Sequence, residues 1–152
     1  MMTIFDLKDK LEYANEVMEL ELLEWGDNPN YEKEEKIAKK TKKYLNNLDN
    51  RYFCKLILLN DSELIGFISI FPHDCDECPD LTPWYATMYV KKEYRGKGYS
   101  RLLNDAILDE AKKRDIHELY LKTTLNNYYE KFGAKFVKKI NGGEKLLKFD
   151  LI

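Results

Sequence analysis

The fold is decided by one stretch of the chain, Met88-Tyr89-Val90-Lys91-Lys92-Glu93-Tyr94-Arg95-Gly96-Lys97-Gly98-Tyr99-Ser100-Arg101-Leu102-Leu103. An apolar strand runs into a basic turn with two glycines, and the turn opens an amphipathic helix. Free backbone N–H groups and the positive end of the helix dipole collect at such a point. Gly96 and Gly98 allow the backbone to approach an anion closely, and cations stand nearby at Arg95, Lys97 and Arg101. The sequence therefore predicts a phosphate-binding turn.

Two common phosphate motifs do not fit this turn. A Walker loop requires Lys after its last glycine, but Gly98 is followed by Tyr99. A dinucleotide fingerprint that starts at Gly96 requires a third glycine at the position of Arg101. The remaining alternative is an ordinary strand-to-helix turn that carries surface lysines.

Hydrophobic periodicity predicts the elements on both sides of this turn. Helices are expected from Leu11 to Trp25, with a stop at 26–30, and over 31–48, 98–114 and, as a short turn, 126–132. Strands are expected over 3–7, 51–59, 64–71, 84–90, 117–122, 134–140 and 145–151. The residues expected to be buried on the second and third helices are Ile37, Tyr44, Leu45, Leu48, Leu102, Leu103, Ala106, Ile107 and Ala111.

The resulting order is β-α-α-β-β-β-α-β-α-β-β. It predicts an α/β (α+β) domain over residues 1–152, in which helices flank a mixed, largely antiparallel sheet of six to seven strands.

Composition excludes several functional classes. The chain has 25 Lys and Arg against 27 Asp and Glu, a net charge of −2, so it lacks the positive field that nucleic-acid binding needs. No apolar run approaches the roughly 20 residues of a membrane span, and residues 1–6 do not resemble a signal peptide. Together with three cysteines, these features predict a reduced, cytoplasmic protein that binds neither nucleic acid nor membrane.

Two segments resemble a known family. The segment from Arg95 to Ser100 is similar to the pyrophosphate loop R/Q-x-x-G-x-G/A of the GNAT acetyltransferases, with Ser100 in place of the usual Gly or Ala. The segment 127–134 resembles the Y-E-K-x-G-F segment of the same family, with Ala134 in place of Phe. The order of elements is also that of the family, so the resemblance covers nearly the whole chain.

The resemblance implies acetyl-CoA as the ligand and no metal. Acetyl-CoA would lie where the strands 84–90 and 117–122 separate, with its pantetheine arm along the first strand and its pyrophosphate on the amides of 95–100. A backbone N–H near Met88 or Tyr89 would polarise the thioester carbonyl. The residues implied to bind acetyl-CoA are Met88, Tyr89, Val90, Arg95, Gly96, Lys97, Gly98, Tyr99, Ser100 and Asn126.

The implied activity is N-acetyl transfer by direct attack of a primary amine on the thioester. Tyr129 stands where the family carries its general acid, and its alternative role is that of a packed aromatic residue. Family members often carry a Glu on the strand before the loop, but the strand 84–90 has no carboxylate, so the base is not evident. A water relay to a loop carboxylate or to Thr87 remains open, and either Asn126 or Asn127 could bond the pantetheine arm.

The loop His73-Asp74-Cys75-Asp76-Glu77-Cys78-Pro79-Asp80 has several interpretations. His73, Cys75 and Cys78 could bind a metal but lack a fourth ligand, and the context does not favour a redox C-x-x-C. The loop is otherwise solvated, or it forms an acidic substrate surface that favours a small cationic amine. Such an acceptor would resemble a polyamine, an aminoglycoside or a peptide lysine, with apolar walls from Phe71, Trp84 and Tyr85.

Two alternative functions remain: a non-catalytic module or sensor that binds acyl-CoA with the same fold, and a metal or thiol protein built on His73, Cys75 and Cys78. A homodimer is plausible for such a domain.

Overall fold

The computed structural model describes residues 1–26 and 32–151. In chain order the elements are β1 (Met2–Asp6), α1 (Ala14–Trp25), α2 (Lys33–Leu45), β2 (Cys54–Asn60), β3 (Glu63–Phe71), β4 (Trp84–Val90), α3 (Tyr99–Lys113), β5 (Glu118–Thr123), β6 (Lys135–Lys139) and β7 (Lys145–Asp150).

Within the described residues, these seven strands form one sheet in the order β1-β2-β3-β4-β5-β7-β6. Every neighbouring pair is antiparallel except β4 and β5, which are parallel. Their register contains a single pair, Trp84 with Tyr120, so the two strands diverge beyond it. The predicted fold class, a mixed and largely antiparallel sheet flanked by helices, is confirmed.

The two faces of the sheet bury different helices, because successive side chains of a strand point to opposite faces. On β2, Leu56 and Leu58 pack in one cluster with α3, which contributes Leu103, Ile107 and Ala111. Ile57 and Leu59 pack in a second cluster with α1 and α2, through Val17, Met18, Ile37 and Tyr44. The sheet is therefore the middle layer of the described structure.

The helices differ from the prediction at their ends. Residues Leu11–Tyr13 form a 3₁₀ turn, and α1 begins at Ala14. Leu11 and Trp25, at the two ends of the first predicted helix, are exposed, and so are Leu45 and Leu102, which were expected to be buried. Periodicity gives the direction of a helix face but not how far its partner layer extends. Gly26, the first residue of the predicted stop at 26–30, directly follows α1, whereas the rest of that stop and the predicted start of the second helix at residue 31 lie outside the described residues.

In the C-terminal third of the chain, the elements follow the predicted order, but the predicted helical turn is shorter and of a different type. The helical turn expected over 126–132 is a 3₁₀ turn at Glu130–Phe132, and it ends at Gly133, whose φ is +105°. Strand β6 is an exposed edge strand. Within the described residues, no helix is both long enough and apolar enough to cross a bilayer.

Candidate active site

The start of α3 presents backbone amides to an open groove. Gly98 is the N-cap residue with φ of +84°, and within the described chain no side chain caps the first turn. Gly96 also has a positive φ, of +79°, which L-residues rarely adopt. The first turn of α3 carries no acidic residue, so no carboxylate on that turn competes for its free N–H groups.

Three cationic side chains lie near these amides, and each is packed against an aromatic ring. The Arg95 Nε donates a 2.8 Å hydrogen bond to the Val90 carbonyl oxygen, and its guanidinium lies 5.6 Å from the Tyr89 ring centroid. The Arg101 guanidinium lies 4.9 Å from the centroid of the Phe132 ring. The Lys131 Nζ lies 4.6 Å from the centroid of the Tyr128 ring. Three positive charges therefore border the turn that the sequence predicts to bind phosphate.

The groove at this turn, here called the nucleotide groove, has a volume of about 770 Å³. Free amides, positive-φ glycines without a Cβ and bordering cations are what a diphosphate requires, so the residues present fit the pyrophosphate of acetyl-CoA. The groove is lined by Glu24, Met88, Tyr89, Val90, Tyr94, Arg95, Gly96, Gly98, Tyr99, Ser100, Arg101, Leu102, Asp105, Leu125, Tyr128, Tyr129, Lys131 and Phe132.

Two of the predicted ligand-binding residues lie away from the groove lining. The Lys97 ammonium lies 5.8 Å from the centroid of the Tyr94 ring. Asn126 is exposed, and its Oδ1 accepts a 3.0 Å hydrogen bond from the Lys145 Nζ. Leu125 and Tyr128, its neighbours in sequence, line the groove instead. The other eight predicted residues line the groove, and for all ten a role in binding acetyl-CoA stays a prediction.

Strand β4 has a bulge beside the point where it leaves β5. Phe67 pairs with Tyr89 and Ser69 pairs with Ala86, so Thr87 and Met88 together oppose a single residue of β3. Thr87 has a φ of +47°, an uncommon value for a β-branched residue. A bulge removes backbone groups from the ladder, so this one leaves β4 with polar groups free for a ligand.

A second cavity, here called the acceptor cavity, opens between the diverging strands and has a volume of about 530 Å³. Met88 and Tyr129 line both this cavity and the nucleotide groove, so the two spaces meet at these side chains. The lining residues are Glu21, Leu22, Trp25, Gly26, Lys40, Phe71, Asp74, Tyr85, Ala86, Thr87, Met88, Leu121, Lys122, Tyr129 and Glu144.

Tyr129 is held at this junction by other aromatic rings. Its ring makes edge-to-face contacts with Tyr128 and Tyr85, at centroid distances of 4.8 and 5.6 Å. The Tyr85 hydroxyl is itself fixed by a 2.8 Å hydrogen bond to the Asn104 Oδ1. Burial, and then the neighbouring Tyr128, raise the pKa of Tyr129 to about 12. The Tyr129 hydroxyl therefore keeps its proton at neutral pH and can donate it as a hydrogen bond.

Three carboxylates and two ammonium groups line the acceptor cavity. The carboxylates are those of Glu21, Asp74 and Glu144, and the cations are Lys40 and Lys122. Of the four acidic residues in the loop 73–80, Asp74 is the one that lines this cavity. Burial raises the pKa of Asp74 to about 6, and Lys122 opposes that shift. Asp74 is still mostly ionised at pH 7.

A buried polar network connects the acceptor cavity to the interior. The Lys55 Nζ donates to the Glu21 Oε1 at 2.6 Å and to the Ser69 Oγ at 3.0 Å. The Ser69 and Thr87 hydroxyl oxygens are 2.6 Å apart and share a hydrogen bond. Burial lowers the pKa of Lys55, and Glu21 opposes that effect. The network ties α1, β2 and β3 to the bulge of β4.

Sequence reasoning missed this network, although one signal was available. Lys55 interrupts the apolar strand Cys54–Asn60, and a charge within such a run indicates a buried partner. Nothing in the local sequence identifies Glu21 as that partner, since it lies 34 residues away.

The remaining predictions for the loop 73–80 have mixed outcomes. Among the described residues, no group of three or more His, Cys, Asp or Glu side chains is placed to hold a metal. Cys75 and Cys78 are free thiols. Phe71 and Tyr85 line the acceptor cavity as expected, but the expectation for Trp84 is wrong. Trp84 is fully buried, packs with Cys78 and Leu146, and donates its Nε1–H to the Leu81 carbonyl oxygen.

Comparison with known proteins gives the family. Residues 14–134 match the sequence profile of the Acetyltransferase (GNAT) family. A stretch of 89 residues is 32% identical to N-alpha-acetyltransferase 30 of Schizosaccharomyces pombe; this stretch covers 55% of the chain and 59% of that relative's length.

Solved structures share the fold. The chain is similar to yncA from Salmonella typhimurium, described with acetyl-CoA, with a TM-score of 0.72 and 16% identity over 99% of this chain and 94% of the other. It is also similar to the PaiA N-acetyltransferase from Thermoplasma acidophilum in complex with coenzyme A, with a TM-score of 0.65 and 21% identity over 99% of each chain. The family predicted from the two sequence segments is confirmed, and the chain belongs to the GNAT acetyltransferases.

Proposed function

We propose that the protein is an acetyl-CoA-dependent N-acetyltransferase whose acceptor is the primary amine of a small cationic molecule. The observation that carries the proposal is the junction at Met88 and Tyr129, where the nucleotide groove meets the acceptor cavity. Two adjoining spaces of different chemistry allow two substrates to bind side by side, which favours direct transfer between them.

The nucleotide groove is the proposed site for acetyl-CoA. Membership of the family and the fit of the groove to a diphosphate support this assignment. The proposal places the pyrophosphate on the amides of 95–100 and the pantetheine arm along the residues Met88 to Val90. When bound, the thioester supplies an electrophilic carbonyl carbon, and the amides freed by the β4 bulge are the proposed donors to its oxygen.

Tyr129 is the proposed proton donor to the leaving sulfur. A thiol resembling Cys has a pKa near 8.5, so complete transfer from a phenol of pKa about 12 is uphill by roughly 5 kcal/mol. Tyr129 is therefore expected to donate a hydrogen bond to the developing thiolate, which then takes its proton from solvent. The position of its ring at the junction supports this role.

The acidic lining supports a cationic acceptor. Three carboxylates line the acceptor cavity, and although Lys55 pairs with Glu21, Asp74 and Glu144 form no ion pair among the described residues and can bind an amine cation. Trp25 and Phe71 add apolar surface on which a carbon skeleton can pack. Polyamines, aminoglycosides and peptide lysines share this combination of amine charge and carbon skeleton.

The test is an amine-dependent thiol-release assay. We expect the purified protein to release CoA from acetyl-CoA when spermidine, kanamycin or a lysine peptide is added, with the acetylated amine identified by mass spectrometry. The fully N-acetylated form of each compound has no free amine, so it is the matched control and should release no thiol. Tight acetyl-CoA binding without turnover across the panel would favour the alternative, a non-catalytic acyl-CoA-binding module.

Three broader expectations belong to the same proposal. Residues 1–152 form one acetyltransferase domain, which is supported by the continuous sheet and by the family match over residues 14–134. A reducing, cytoplasmic location is supported by the free thiols of Cys54, Cys75 and Cys78. A homodimer remains part of the proposal, and light scattering would measure it.

A further inference from the structure

The proposed reaction needs a base. A primary amine of pKa about 10.4 is neutral in only about one molecule in 2,500 at pH 7, and the attacking nitrogen must give up a proton. The strand β4 lacks a carboxylate that could take it. The inference below rests on the proposed acetyl transfer and names the group that removes this proton.

We propose that Asp74 is the general base of the acceptor cavity. The Asp74 carboxylate first takes one proton from the bound ammonium and releases it to solvent. The neutral nitrogen then bonds to the acetyl carbon, the bond from that carbon to the CoA sulfur breaks, and the second amine proton passes to the Asp74 carboxylate. The sulfur takes a proton from the Tyr129 hydroxyl or from solvent, so the protons balance and no oxidant or further reactant is needed.

The Asp74 carboxylate is available to a substrate in the acceptor cavity. It is half-buried in the acceptor cavity, and within the described residues it forms no hydrogen bond or ion pair. The Glu21 carboxylate is occupied by contrast, because the Lys55 Nζ binds both of its oxygens and the Lys40 Nζ lies 3.9 Å from one of them. A free carboxylate in a cavity that also contains Tyr129 can meet the substrate directly.

The surroundings of Asp74 also make its carboxylate a stronger base. Burial raises the pKa of Asp74 to about 6, Glu144 and Glu21 act in the same direction, and Lys122 opposes them. Lys40 of α2 and Tyr129 are the other titratable groups that line this space with Tyr85. A carboxylate with a raised pKa is a stronger base than one in water and remains ionised at neutral pH.

The structure also makes the other carboxylates of the loop 73–80 less suitable as the base. The loop 73–80 carries four carboxylates, and the Glu77 side chain accepts a hydrogen bond from the Asn141 backbone N–H. Asp76 and Asp80 are exposed. These two residues share the loop and the charge of Asp74 but do not line the cavity, so they provide matched controls.

The experiment is a pH profile of kcat and of kcat/KM for the best amine of the panel. For the wild type we expect kcat to fall as the pH drops through about 6, because the base becomes protonated. This fall is the acid limb of the pH profile. Asp74→Asn should lower kcat by about 10²-fold and remove the acid limb, as expected for the loss of a general base. Asp74→Glu should restore part of the rate, and Asp76→Asn and Asp80→Asn should behave as the wild type does.

The outcomes separate the two proposals. No turnover by the wild type with any amine overturns the proposed function. Turnover with an unchanged acid limb in Asp74→Asn overturns the role of Asp74 alone. A raised amine KM with an unchanged kcat profile would also overturn it, since Asp74 would then only attract the cation. Loss of the limb in Glu144→Gln instead would assign the base to Glu144. The acetyl-CoA affinity of each variant checks that the fold is retained.

Discussion

At the scale of single residues, the position of a hydroxyl and the state of its proton decide the role of Tyr129. Burial keeps the phenol protonated, since its pKa is about 12, while the rings of Tyr85 and Tyr128 hold it at the junction of the two cavities. The side chain is therefore a donor throughout the pH range of an ordinary assay.

Tyr129→Phe is expected to lower kcat by about 10²-fold, because the ring is kept and the proton donor is lost. The KM for acetyl-CoA should change little. Steady-state kinetics measures both values. Tyr128→Phe is the matched control, since the Tyr128 and Tyr129 ring centroids are 4.8 Å apart and Tyr128 lines the nucleotide groove but not the acceptor cavity. Equal rates for the wild type and Tyr129→Phe would leave Tyr129 as a packed aromatic residue.

Gly98 and Gly142 form a matched pair of positive-φ glycines, at +84° and +74°. An added Cβ would meet no atom within 4 Å at either position, and only Gly98 of the two lines the nucleotide groove. Gly98→Ala and Gly142→Ala should each cost about 1 kcal/mol of stability in urea unfolding, from the strained φ.

Gly98→Ala should in addition weaken CoA binding by about tenfold or more, a change of about 1.4 kcal/mol, because Gly98 lines the groove and a side chain there hinders close approach of the diphosphate to the backbone. Isothermal titration calorimetry measures the affinity. Equal CoA affinities for the two variants would mean that the diphosphate binds elsewhere.

Site residues that are neighbours in sequence could be predicted, and those that meet through the fold could not. The turn 95–100 and Tyr129 each stand in a short segment whose residue types indicate their chemistry. Asp74 is one of four similar carboxylates in its loop, and the folded chain places Asp74 alone of the four in the lining of the acceptor cavity. The environment of Thr87 depends on a bulge whose register no local pattern specifies.

At the scale of elements, the buried pair of Glu21 and Lys55 joins α1 to β2 beneath the acceptor cavity. Both side chains are almost fully buried, and Ser69 links the pair to the bulge of β4. Breaking a buried ion pair leaves one charge without its partner, while removing both charges avoids that penalty.

Lys55→Met is therefore expected to destabilise the fold by about 3–5 kcal/mol, measured by urea unfolding. The double variant Glu21→Leu with Lys55→Met should recover most of that loss. Lys135→Met is the control, because Lys135 pairs with Asp150 on the exposed edge of the sheet and should unfold as the wild type does. A double variant no more stable than Lys55→Met would show that the stabilisation does not come from pairing.

Element order and type followed from the sequence better than the ends of elements did. Alternating and helical periodicity indicate an element over its whole length, so the strand and helix order is the predicted one. Trp25, at the end of α1, is about half exposed, and its ring makes only an edge contact with Tyr89 of β4. The position at which an element loses its packing partner depends on the neighbouring layer, so the local sequence pattern does not give it.

At the scale of the whole molecule, the divergence of β4 and β5 organises the site. The parallel pair is broken after Trp84 and Tyr120, and the acceptor cavity lies between the separated strands. The turn that follows β4 opens α3 and the nucleotide groove. The same strand therefore borders the proposed places of both substrates, which is why the chain can bring them together.

The most direct test of this account is a crystal structure of the protein with CoA bound. The account predicts the diphosphate on the amides of residues 95–100 and the sulfur within hydrogen-bonding distance of the Tyr129 hydroxyl, at the opening of the acceptor cavity. CoA bound outside the nucleotide groove, or with its sulfur directed away from Tyr129, would contradict it.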